Sequence, residues 1–75
     1  MNTETQSNMI GYLVICVSEF ADRFKLDCKT AYRFLATYGG IAFLIEHYEI
    51  EHTLSLDDAV DDLEFICRKN GGVLQ

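Results

Sequence analysis

Glu49-Ile50-Glu51-His52 is the stretch whose residue types and spacing come nearest to a reactive centre. A Glu-x-x-His sets two donors on one face of a helix, the spacing used by di-iron carboxylate proteins. That chemistry needs a second such motif and two further inward glutamates, and this chain has one copy. His47 and His52 are five apart, which is wrong for chelation from a single helical face. No metal and no cofactor is therefore expected. Tyr48 and His52 are four apart, so they share a face and can stack or hydrogen-bond. His52 is expected to be a structural histidine, buried with Tyr48 and fixing a helix end. Ser18, Ser55 and the cysteines have no base set beside them by local spacing. No catalytic residue is assigned, and the expectation is a chain that is not an enzyme and takes no small-molecule substrate.

A second kind of candidate lies further along. Asp57, Asp58, Asp61, Asp62 and Glu64 crowd one face with Phe65 among them. Like charges four apart repel by a few tenths of a kcal/mol on an isolated helix, roughly 0.2–0.5 per pair. An aromatic ringed by acids can serve as a hot spot for a basic protein partner. Asp58, Asp61, Asp62 and Phe65 are the partner-binding set expected from this pattern, against the simpler reading of a solubilising face with one stray aromatic.

The elements that position these groups follow from periodicity and punctuation. Ser7 or Asn8 can cap a first helix over residues 8–25, with its apolar stripe at Met9, Ile10, Leu13, Val14, Val17, Phe20, Ala21 and Phe24. Tyr12, Ile15 and Cys16 widen that surface, so the first half should be covered by the C-terminal residues or by another subunit. Asp27 is a good N-cap for a second helix over 28–38, with Cys28, Ala31, Tyr32 and Leu35 inward. Gly39-Gly40 supplies a positive-φ stop. The third helix, 41–52, has two apolar stripes: Ile41, Leu44, Ile45 and Tyr48 on one side, Phe43 and Ile50 on the other. A surface helix needs one stripe only, so this helix is expected to be a packing hub, with Phe43 and Ile50 as a second-face contact. That reading fails if either residue faces solvent. Ser55 caps the last helix, 56–70, whose first-turn acids complement its dipole. The fold class expected is all-α, a small four-helix bundle-like single domain over residues 1–75, with 1–6 as a frayed tail.

Composition narrows the functions. The chain is 49% hydrophobic and has a formal charge of −6. Arg23, Lys25, Lys29 and Arg33 lie close together, whereas eight acids fall between Glu46 and Glu64. Nucleic-acid binding is not expected, because the third helix, in the place of a recognition helix, would bring Glu46, Glu49 and Glu51 toward phosphates. The apolar run from Met9 to Val17 is too short to span a membrane, and the residues before it lack the basic region of a signal peptide. Cys16, Cys28 and Cys67 show no paired short spacing and read as reduced core thiols. A cytoplasmic protein is expected.

Several motifs in order resemble a family of short bacterial proteins classed as a domain of unknown function. They are Cys16-Val17-Ser18-Glu19-Phe20, Leu26-Asp27-Cys28-Lys29-Thr30-Ala31-Tyr32, the Tyr38-Gly39 turn, the Tyr48-to-His52 spacing and the acidic last helix. The resemblance covers roughly residues 11–70, and it departs at Glu51-His52, where that family writes Leu-His. Members are often encoded beside proteins resembling ADP-ribosyltransferase toxins. The resemblance therefore implies a non-enzymatic helical interaction module, an antitoxin-like partner of a toxin. The alternative from the excess apolar surface is a homo-oligomeric structural protein.

Overall fold

Helix-breaking chemistry at four corners divides the described residues into five helices, not four. The computed structural model describes residues 3–74, with side chains from residue 8, and all its regular structure is helical. The helices are α1 (Thr3–Phe24), α2 (Cys28–Thr37), α3 (Gly40–Glu46), α4 (Tyr48–Glu51) and α5 (Leu56–Lys69). α1 starts at Thr3, so Ser7 and Asn8 lie within it and do not cap it. The bounds of α1 thus begin within the expected tail, whose first two residues lie outside the described ones.

The corners follow from backbone chemistry. α1 ends with Lys25 at φ 56, while the Leu26 amide donates to the Ala21 carbonyl at 2.9 Å. This is a Schellman closure with a lysine in the place that glycine usually takes. The Asp27 carboxylate accepts from the Thr30 amide at 2.7 Å and starts α2. Gly39 sits at φ 85, and a Cβ on Gly40 would fall 2.8 Å from a Leu35 methyl carbon, so α3 approaches α2 through a glycine. Ser55 Oγ accepts from the Asp58 amide at 3.1 Å and starts α5. Gly71 at φ 92 closes α5, with the Gly72 amide donating to the Cys67 carbonyl at 2.8 Å. The Asn70 side-chain amide then donates to the Tyr38 carbonyl at 2.8 Å, pinning the end of α5 to the end of α2.

One cluster of buried side chains joins these elements: Cys16, Val17, Phe20 and Ala21 of α1, Ala31 and Leu35 of α2, Leu44 of α3, and Ala59, Val60, Leu63 and Cys67 of α5. Phe20 stacks on Phe34 with ring centroids 5.9 Å apart, and Phe34 meets Tyr38 at 4.9 Å. Gly72 is packed under those two rings, and Leu74 rests on the core. α2 is therefore rolled toward Phe34 and Tyr38. Cys28 and Tyr32, expected inward, are exposed, so only two of the three cysteines are core thiols. On α1 the buried stripe runs through Cys16, leaving Ile10, Val14 and Ile15 uncovered by the described C-terminal residues.

The expected third helix is broken. His47 adopts φ −111 and ψ 23, which ends α3 and starts the single turn of α4. The break changes the phase of the two stripes. Phe43 packs against the core, but Ile50 is 66% exposed. The two-sided hub fails on that residue, and among the described residues Phe43 and Ile50 share no contact face.

Candidate functional site

Three places in this fold bring together side chains that the fold itself does not fully use. The first is an apolar groove where α1, α2 and α3 meet. Ile10, Leu13, Val14 and Val17 line one wall, Tyr32 and Cys28 another, and Ile41 and Ile45 the third, around a volume of about 610 Å³. Lys29 is its one charged lining residue, and no residue of α5 takes part. Ile10 is 62% and Val14 61% exposed, and Tyr32 and Ile45 are also open to solvent. Burying apolar surface is worth roughly 25 cal/mol per Å², so four large side chains left in water along one groove represent unused binding energy. Ser18 Oγ and Cys28 Sγ meet at 4.0 Å on the rim.

The second is the outer face of α5. Phe65 is 67% exposed at its centre, as the sequence leads one to expect. The acids around it do not act as one set. Asp61 is held by the guanidinium of Arg23, which also reaches the Asp57 carboxylate at 3.6 Å and the Asp57 carbonyl at 3.2 Å. Asp62 is half-buried and faces the carboxyl of Glu51. Only Asp58 and Phe65 of the expected set point outward without an ion-pair partner among the described residues.

The third place surrounds α4. Tyr48 and His52 stack at 4.6 Å with an interplanar angle of 14°. The His52 Nδ1–H donates to the Tyr48 carbonyl at 2.7 Å, which assigns the proton to that nitrogen. The histidine fixes the helix end as expected, but it does so in an exposed position rather than a buried one. Tyr12 of α1 meets Tyr48 edge-on at 5.5 Å and His52 at 6.5 Å. Beneath them lies Glu51, only 4% exposed, with its Oε1 lacking any hydrogen-bond partner. Burial, and then the facing Asp62 carboxyl, push Glu51 up to about 7. The Tyr12 hydroxyl is also buried without a partner, beside the Cys16 thiol, and burial raises both groups above their ordinary values.

Glu51 is the residue that sequence reasoning misplaced. The helical wheel sets it in a gap between stripes with Glu46 and Glu49, both of which are exposed. On one continuous helix Glu51, seven residues after Leu44, would share its side, but the break at His47 resets the phase, so the burial of Glu51 comes from the packing around α4 and not from that spacing.

Among the described residues, no cluster of three or more histidine, cysteine or carboxylate side chains is grouped to hold a metal ion, and no helix is long and apolar enough to cross a membrane. No curated protein and no solved structure matches the chain. A family model described as "Protein of unknown function (DUF3791)" matches residues 11–70, which hold α2 to α5, the core-forming part of α1 and the three places described above except Ile10 of the groove. The chain belongs to that family.

Proposed function

We propose that this protein is a non-enzymatic helical interaction module that docks an apolar helix of a protein partner in the groove between α1, α2 and α3. The observation that carries this reading is the exposure of Ile10, Val14, Tyr32 and Ile45 along one groove. Such a groove accepts side chains spaced three and four apart from an amphipathic helix. Lys29 on the rim favours an acidic flank on the incoming segment. The resemblance to short bacterial proteins encoded beside ADP-ribosyltransferase-like toxins points to such a toxin as the partner, with this chain as its antitoxin-like half, acting in the cytoplasm. Asp58 and Phe65 on α5 form a second contact on that partner's basic surface, to which Asp61 and Asp62 contribute less than their positions in the sequence suggest, since both face other groups of this chain.

Co-expression with the product of the neighbouring gene tests the proposal. A complex that Val14→Glu or Ile45→Lys abolishes, with helicity unchanged, supports it. Absence of a complex, together with no rescue of toxicity, overturns it. A second reading rests on α1 alone. Ile10, Val14 and Ile15 are exposed around Gly11, and nothing lies within 4 Å of a Cβ built on that glycine. A second copy of α1 packs closely against such a face, giving a symmetric homodimer. Light scattering at micromolar concentration decides this reading, and a clean monomer removes it.

A further inference from the structure

α4 is attached to the rest of the molecule in an unusual way. Its single buried residue is an acid, Glu51. The hydrogen bonds of residues 48–54 close on the segment itself or on His47: Ile50 and Glu51 amides to His47, His52 to Tyr48, Thr53 to Ile50 and Leu54 to Glu51. The side chains of His52 and Thr53 also bond locally, to Tyr48 and Ile50. Among the described residues, no hydrogen bond or ion pair fastens this segment to α1. The segment is bounded by a non-helical residue, His47, and by the turn that leads to the Ser55 cap.

Two carboxylates carry only acceptors, so Glu51 and Asp62 attract each other only while one of them holds a proton. We propose that Glu51 and Asp62 form a proton-sharing latch that holds α4 against α1 and α5, and that loss of the shared proton lets residues 48–54 swing away on their flanking turns.

The surroundings favour this behaviour. From α1, Tyr12 and Cys16 face the pair, and both stay neutral because burial raises them. From α5 comes Asp62 itself. From α4, His52 reaches only the Tyr12 ring. None of the ion pairs among the described residues includes Glu51 or Asp62, so no cation is placed to compensate a second negative charge. Burial and Asp62 push Glu51 up to about 7, and the latch is therefore closed in mild acid and strained above neutrality. Opening parts Tyr48 and His52 from Tyr12 and uncovers the inner side of α1. That surface adjoins the apolar groove at Ile45, which also borders the hollow lined by α4.

Amide exchange of the full chain, followed by NMR and corrected for intrinsic rates, tests the latch. A single helical turn freed from the body does not hold its own hydrogen bonds, so protection at His52 and Leu54 is expected to fall about tenfold or more between about pH 5.5 and about pH 8.5, while Leu63 in α5 stays protected. Glu51→Gln, whose amide donates to the Asp62 carboxylate at any pH, should keep α4 protected throughout. Should that variant fail to fold, the carboxyl carbon of Glu51 in the unaltered chain gives an independent reading, with a titration midpoint expected near neutrality. Equal protection of α4 at both pH values overturns the proposal, as does parallel loss in α5. A Glu51 midpoint in the ordinary glutamate range overturns it too.

Discussion

Glu51 and Glu49 stand two residues apart in one turn of helix and differ in everything physical. Glu49 is solvated, whereas Glu51 is buried against a second acid with one oxygen unpartnered. The consequence is a stability that depends on pH with a definite sign. The unfolded chain gives up this proton near 4.5, and the folded chain near 7. Between those values this group binds more protons in the native state, so its own contribution to stability is greatest below the lower one, declines as pH rises through the window and is lost above it. The decline is expected to be on the order of 2 kcal/mol, capped by what the docking of α4 is worth. Urea unfolding across this range should show it in the unaltered chain, and Glu51→Gln should remove the slope. Leu44 is the opposite case, fully buried and apolar; Leu44→Ala should cost about 2–5 kcal/mol in the same assay, through lost burial and the cavity left behind.

The termini of the helices set the next level of predictions. Lys25 closes α1 in the left-handed region, where a side chain costs roughly 1–2 kcal/mol relative to ordinary backbone. Lys25→Gly should therefore raise the midpoint of thermal unfolding, with a gain of about 1 kcal/mol, since the lysine is exposed and no ion pair is lost. Ser55→Ala removes the acceptor for the Asp58 amide at the start of α5 and should destabilise by about 1 kcal/mol. Gly39→Ala should be worse than its small size suggests: the residue sits at φ 85 and the new Cβ would meet the Asn70 side chain at 2.7 Å. That clash would also break the Asn70 bond to the Tyr38 carbonyl that joins α5 to α2.

Across the whole molecule, charge and apolar surface are kept apart. The acids of α5 lie on its outer face, braced in part by Arg23 from α1, while the groove is formed by α1, α2 and α3 with Lys29 alone charged. A partner drawn by charge would meet α5, and one drawn by apolar burial would meet the groove. Phe65→Ala and Val14→Glu separate these surfaces. Each replaces a side chain exposed in the free chain, so each should change the unfolding free energy by no more than about 0.5 kcal/mol. Titration calorimetry with the product of the neighbouring gene, the partner proposed above, should then show Val14→Glu as the larger loss of affinity.

The amino-acid sequence by itself determined the class and most of the corners. Helical periodicity, the Asp27 and Ser55 caps and the Gly39-Gly40 and Gly71 turns are local signals, and local chemistry is enough to produce them. The inward residues Ala59, Val60, Leu63 and Cys67 of α5 follow from one clean stripe. Where two stripes competed, tertiary packing decided. α2 rolled toward Phe34 and Tyr38 because Phe20 and Gly72 fit against those rings, and this left Tyr32 and Cys28 on the groove. The break at His47 likewise released Ile50 to solvent and set Glu51 beneath Tyr12. Which of several apolar or acidic faces is buried depends on what another helix presents to it, and spacing along one chain segment does not contain that information.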